Sequence, residues 1–93
     1  MGILDRAIKK YGEKQLDQTQ EELAELIVAI SKYKRAVAKE GNVELAVVNV
    51  IEEIADVNIM IKQIMIMLDI EEFEVKNMEI AKLNRLNKRL EVK

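Results

Sequence analysis

The chain of 93 residues contains no histidine, cysteine, tryptophan or proline. Without imidazole and thiol groups it cannot build a Ser-His-Asp triad, a Cys-His nucleophile, a zinc site with nitrogen or sulfur ligands, or a disulfide. Any chemistry must therefore depend on carboxylates, lysines, arginines and a metal that prefers oxygen ligands.

The composition is that of a helical protein. Hydrophobic residues make up 49% of the chain and charged residues 34%, but aromatic residues only 3%, and there are three glycines. Sandwiches and barrels need more aromatic residues and more turn residues than this. We therefore predict an all-α fold, and the length allows a single domain spanning residues 1–93.

Charge and hydropathy exclude several classes of partner. The chain carries 15 basic and 17 acidic side chains, a net charge of −2, so no basic excess is available to bind nucleic acid. Residues 1–6 lead directly into charged sequence rather than into a secretory signal. No apolar run is longer than the five residues of Ile64–Leu68, which fall far short of the roughly 20 residues of a membrane helix. We expect a soluble cytoplasmic protein with no membrane or nucleic-acid partner.

Glycines and apolar spacing divide the chain into a short N-terminal helix and three long ones. The predicted bounds are about 3–11, 14–39, 43–68 and 70–91. The second and third helices should form an antiparallel hairpin through Gly41. Gly41 is expected to be the left-handed residue that ends the second helix, and Asn42 to cap the third. Asp69 is expected to cap the last helix, with Glu72 completing a capping box.

The third predicted helix is apolar nearly all round in its second half. Its β-branched segments, Val57–Ile61 and Ile64–Leu68, are also compatible with strand, but no turn signal lies between Asn42 and Asp69. A helix of this kind must be buried on several sides, which a 93-residue chain can hardly achieve alone. We therefore predict an oligomeric helical bundle, with a monomeric bundle as the alternative.

Acidic residues are concentrated where the chain is most apolar. Residues 41–70 contain five acids and one base, Lys62. Positions three or four apart share one face of a helix, so Glu22 and Glu25 form one carboxylate pair and Glu53 and Asp56 another. A hairpin can bring the two pairs together as a site for a hard cation, Mg²⁺ or Mn²⁺.

These acids have two other interpretations. Glutamate pairs on helices are most often just a solvated face, although acids inside an apolar helix are harder to explain in this way. A di-iron carboxylate bundle requires Glu-x-x-His pairs, which a chain without histidine cannot supply.

The acids also form two ordered motifs. Glu21-Glu22-Leu23-Ala24-Glu25 and, after 27 intervening residues, Glu53-Ile54-Ala55-Asp56 resemble the EExxE and ExxD motifs of the MazG-like all-α nucleoside triphosphate pyrophosphohydrolases. The resemblance extends from Tyr11-Gly12 through Lys82–Leu86. In the related phosphoribosyl-ATP enzymes a tyrosine-histidine pair usually follows the second motif, but here Ile59-Met60-Ile61 follows it, which puts that substrate in doubt.

The resemblance implies a helical homodimer or homotetramer that hydrolyses a nucleoside triphosphate to the monophosphate and pyrophosphate. It implies that the metal ligands are Glu22, Glu25, Glu53 and Asp56. The neighbouring acids Glu21 and Glu52 would then help to activate the attacking water.

Basic and amide side chains are candidates for substrate binding. Lys32 follows Glu25 on the acidic face of the second helix, and Lys82, Arg85 and Arg89 share one face of the last helix; these four are the predicted phosphate-binding residues. Gln15 and Gln18 precede Glu22 on its own face and are the predicted nucleoside-binding residues. The alternative for the basic face is ordinary solvation. The alternative for the whole protein is a non-catalytic helical interaction module.

Overall fold

The structure, a computed structural model, describes residues 2–92. Those residues contain no strand and form four α-helices: α1 (Ile3–Tyr11), α2 (Lys14–Ala38), α3 (Val43–Met67) and α4 (Glu72–Glu91). The all-α prediction and the arrangement of one short and three long helices are thus confirmed. Among these residues, none of the helices combines the length and the apolar character needed to cross a bilayer.

The antiparallel hairpin of α2 and α3 is the main packing unit, and α1 packs against it, mostly on α3. Gln15 near the start of α2 contacts Gln63 near the end of α3, and further along the hairpin Glu22 lies beside Asp56. The core is small. Among the described residues, the buried apolar side chains are Ala29, Ala46, Val57 and Met60.

Buried polar groups hold the open end of the hairpin. The Gln15 side-chain amide donates to Gln63 Oε1 at 2.7 Å, and Gln63 Nε2 lies 3.6 Å from the Met60 sulfur. Thr19 is only 2% exposed, and its hydroxyl donates to the Gln15 carbonyl at 2.7 Å. Because a buried amide must find a partner, this pair favours one register of α2 against α3.

The turn between α2 and α3 corrects one prediction. The left-handed residue is Glu40, with φ 52°, not Gly41. The Gly41 N–H instead donates to the Ala36 carbonyl at 2.7 Å. A Cβ on Gly41 would lie 3.1 Å from the Ala36 Cα, so glycine is needed here for close approach. Asn42 caps α3 as predicted, since its side-chain oxygen accepts from the Leu45 N–H at 3.0 Å.

The turn between α3 and α4 corrects the predicted N-cap of α4. Asp69 is not the N-cap of α4 but a left-handed residue, with φ 53°, after the end of α3. The Ile70 N–H donates to the Met65 carbonyl at 2.8 Å and the Asp69 N–H to the Ile66 carbonyl at 3.3 Å, the pattern of a Schellman motif. Glu71 caps α4, and its N–H donates to the Glu74 carboxylate at 2.8 Å. The N-cap of α4 thus lies two residues later than predicted, because Asp69 belongs to the motif that ends α3.

The Gln15–Gln63 contact leads to a stability prediction. Gln15→Leu should lower the free energy of unfolding by about 1–3 kcal/mol, because it leaves the Gln63 amide buried without its partner. The double variant Gln15→Leu/Gln63→Leu should recover most of that loss, since two apolar side chains would then face each other. Urea unfolding at fixed protein concentration measures both.

Gln20→Leu, at an exposed position of α2, is the matched control and should change stability by no more than about 0.5 kcal/mol. Gln63→Leu completes the cycle. If the losses of Gln15→Leu and Gln63→Leu simply add in the double variant, the amide pair does not couple the helices.

Candidate metal centre

The hairpin brings acids from α2 and α3 together. Glu22, Glu53 and Asp56 each place one carboxylate oxygen within 4.8 Å of the other two. We call these three residues the acidic trio. Glu22 and Glu53 are half-buried and Asp56 is exposed, so the trio has one side open to solvent. The three were predicted from the sequence as ligands of a single site, and the structure places them together.

Glu25, the fourth predicted ligand, borders the trio but is not part of it. It lies one turn beyond Glu22 on α2, is exposed, and lines a cleft together with Glu53. Its negative charge is one of the causes that raise the pKa of the Glu22 carboxyl group. Glu25 is thus placed on the rim of the site.

Two carboxylate oxygens of the trio have no partner among residues 2–92. Glu22 Oε2 and Glu53 Oε2 are both buried, and neither accepts a hydrogen bond from any residue that the structure describes. A buried oxygen that can carry negative charge is costly when nothing compensates it. A divalent cation is the group that satisfies several such oxygens at once, and carboxylates are the ligands that Mg²⁺ and Mn²⁺ prefer. The donor set therefore fits such an ion.

The electrostatics of Glu22 reflect this crowding. Burial raises the pKa of its carboxyl group above the ordinary value of 4.5, and the nearby charges of Glu25 and Asp56 raise the pKa further. A hydrogen bond from Gln18 opposes the rise, because the Gln18 amide donates to Glu22 Oε1 at 2.9 Å. Gln18 therefore orients Glu22 from the preceding turn.

A cleft of about 220 Å³ opens beside the trio. Both helices line it; the lining residues are Glu25, Val28, Ala29, Lys32, Asn49, Glu52 and Glu53. Lys32 thus reaches the acidic face, as its spacing from Glu25 indicated. Asn49 was given no role from the sequence, although it lies one turn before Glu53 on the same face of α3.

The remaining predicted site residues lie in other places. Glu21 is exposed and does not line the cleft, whereas Glu52 does. The side chain of Gln15 is engaged with Gln63 between the helices, so Gln18 is the nearer of the two glutamines to the trio. The basic residues Lys82, Arg85 and Arg89 are exposed on α4, which makes no extensive contact with the hairpin. Their predicted role is not supported by any contact within one chain.

No protein-family model matches the chain, and neither curated proteins nor solved structures provide a match. The function must therefore be argued from the residues and their geometry.

The raised pKa of Glu22 leads to a pH prediction for the metal-free protein. The Glu22 carboxyl group keeps its proton to a higher pH in the folded state than in the unfolded state. Its ionisation therefore lowers the free energy of unfolding as pH rises from 4.5 through the pKa of the folded state. Glu22→Gln removes that contribution. The unfolding free energy of the variant minus that of the wild type should therefore increase as pH rises through this range.

Urea unfolding with a chelator present, from about pH 4 to 8, measures the difference. Glu21→Gln removes a neighbouring exposed charge from the same helix and gives the baseline. Equal pH dependence in the two variants would show that Glu22 is not destabilised by its surroundings.

Proposed function

We propose that the protein is a Mg²⁺-dependent nucleoside triphosphate pyrophosphohydrolase, with Mn²⁺ as a possible substitute. Water would attack a phosphorus of the triphosphate, and the products would be the nucleoside monophosphate and pyrophosphate. The observation that carries this proposal is the acidic trio with its two unpaired buried oxygens. The resemblance of the two acidic motifs to the MazG-like enzymes supports the same reaction.

The proposed ligands are the acidic trio, with Glu25 as a fourth from the rim. When bound there, Mg²⁺ supplies positive charge that stabilises the triphosphate oxygens during phosphoryl transfer. Gln18 holds the Glu22 carboxylate in place through its 2.9 Å hydrogen bond. An outer hydrogen bond of this type fixes the direction in which a ligand presents its oxygens.

A carboxylate beside the ligands is proposed to take the proton of the attacking water. Of the two candidates, Glu52 lines the cleft and Glu21 does not. The cleft therefore favours Glu52 for this step. Glu21 would then act at a distance, through its charge.

Two sets of side chains are proposed to bind substrate. Lys32 lies in the cleft, where an ammonium group can pair with the leaving pyrophosphate. Gln18 remains a candidate for contact with the nucleoside, and Gln15 a more remote one because its amide is already engaged. For Lys82, Arg85 and Arg89 to bind phosphate, α4 would have to reach a cleft that it does not contact in its own chain.

The protein is further proposed to act as a homodimer or homotetramer. The exposed apolar side chains on α2, α3 and α4 support this, because a monomer would leave them in water. The same surface supports the second candidate function, a non-catalytic helical interaction module. A metal-binding experiment and an activity experiment together distinguish the two.

Metal binding should raise thermal stability. At a Mg²⁺ concentration ten times the dissociation constant, the folded protein should gain about 1.4 kcal/mol, a rise in Tm of several degrees. Glu53→Gln should abolish most of this shift, because it removes a ligand and half of the unpaired buried oxygens. Glu44→Gln, an exposed acid in the first turn of α3, should keep it.

Thermal unfolding at constant ionic strength, with K⁺ replacing Mg²⁺ as the reference, makes the measurement. A Tm that does not respond to Mg²⁺ or Mn²⁺ would remove the metal site and favour the interaction module.

Activity is tested with a panel of ribo- and deoxyribonucleoside triphosphates, Mg²⁺ and an assay for pyrophosphate. At least one nucleotide should be hydrolysed. Glu53→Gln and Asp56→Asn should each lower kcat/KM by at least about 100-fold, because losing even the partner of a ligand costs 10–100-fold. Glu44→Gln should remain within a few fold of wild type.

The absence of pyrophosphate release from every nucleotide would overturn the enzyme proposal. Release that survives both ligand variants would place the reaction somewhere other than the acidic trio.

A further inference from the structure

The chain exposes far more surface than a compact protein of its size. Its accessible surface is 7800 Å², whereas a compact monomer of 10.7 kDa exposes about 5,500 Å². Its radius of gyration is 17.1 Å, against about 12 Å for a compact domain of this length. The excess is about 2,300 Å² per chain, on the scale of the interfaces of obligate dimers.

Helix α4 contributes much of this surface. All of its residues are exposed, and it makes no extensive contact with the other helices. Its apolar residues recur at helical spacing, and we call Val75, Leu83, Leu86 and Leu90 the α4 stripe. Leu83 is 61% exposed and Leu90 is 75% exposed. Most of the stability of a helix in a protein comes from the packing of its apolar face, so the 20 residues of α4 need a surface to pack on.

Local hydrogen bonds direct α4 away from its own hairpin. The connection consists of Leu68 to Glu71, and the Schellman motif and the capping box together involve all four residues. None of them is left free to act as a hinge. The direction of α4 is therefore a property of the turn. Val75 lines a pocket with Ile61 and Met65 of α3, but the rest of the stripe makes no extensive contact with the hairpin of its own chain.

A second unpartnered apolar surface lies on the hairpin. A groove of about 340 Å³ runs between α2 and α3, and we call it the hairpin groove; its lining residues are Ile30, Tyr33, Val47, Val50, Ile51 and Ile54. At about 100° per residue, Val47, Ile51 and Ile54 point to the flank of α3 opposite Glu53 and Asp56. An occupant of the groove would therefore leave the acidic trio open.

We propose that two copies of the chain associate by exchanging α4, so that the α4 stripe of each copy packs into the hairpin groove of the other. A groove between two helices accepts the ridge of a third, and the exchange covers both apolar surfaces at once. This association does not depend on metal binding or on catalysis.

Cross-linking tests the pairing directly, and the absence of cysteine makes single-cysteine chains unambiguous. A chain with Ile51→Cys in the groove and a chain with Leu86→Cys in the stripe are refolded together from urea and treated with a short bismaleimide. The expected product joins the two different chains. Lys88→Cys, on the side of α4 opposite the stripe, replaces Leu86→Cys in the control and should cross-link at least 10-fold less.

The other products would overturn the proposal. A dimer of Ile51→Cys chains alone would show that two hairpin grooves face each other. A cross-link confined to one chain in the double variant Ile51→Cys/Leu86→Cys, at monomer mass, would show that α4 folds back on its own hairpin. Unmodified wild type that sediments as a monomer would show that the surfaces stay uncovered.

Disruption of either surface should have the same effect. Leu86→Lys in the stripe and Ile51→Lys in the groove should each weaken association at least 100-fold by sedimentation equilibrium, whereas Lys88→Ala should leave it within about 3-fold. Both lysine variants should retain most of the helical circular dichroism of α2 and α3. Association unchanged in either lysine variant would contradict the exchange.

Discussion

The packing of α2 against α3 in one register is the constraint on which the rest of the structure depends. The hydrogen bond between Gln15 and Gln63, buried at the open end of the hairpin, favours that register. Further along the same face, the register puts Glu22 of α2 beside Glu53 and Asp56 of α3. A shift by one helical turn, about 5.4 Å, would part these carboxylates. One helix contact thus serves both the fold and the candidate site.

The candidate site also lowers the stability of the hairpin in the absence of a ligand. Burial and neighbouring charge raise the pKa of Glu22, and two carboxylate oxygens are buried without a partner. A region of this kind is expected where a ligand provides the compensation, because a structure selected for stability alone would not keep it. The small core of the hairpin and the crowded acids then have a common explanation, because both would be stabilised by binding partners outside the chain.

The molecule is thin, so both flanks of the hairpin are accessible to binding partners. Its smallest dimension is 18 Å, which leaves little interior. One flank carries the acidic trio and the cleft with Lys32, and the other carries the hairpin groove. The proposed exchange of α4 would fill the apolar flank without closing the acidic one. The proposed association and the proposed catalysis can therefore use the same two helices.

Periodicity and capping act within a few residues of the chain, and Asn42 is a clear example. They are enough to predict the helical class, helix bounds to within about two residues, and the faces on which the acids lie. The folded structure was needed to see that Gln15 pairs with Gln63, 48 positions away, that Glu25 lies on the rim, and that α4 leaves the hairpin. It also assigned the left-handed positions to Glu40 and Asp69. The physical reason is that helical spacing specifies which side chains share a face, whereas contact between faces depends on register and on the direction of each turn.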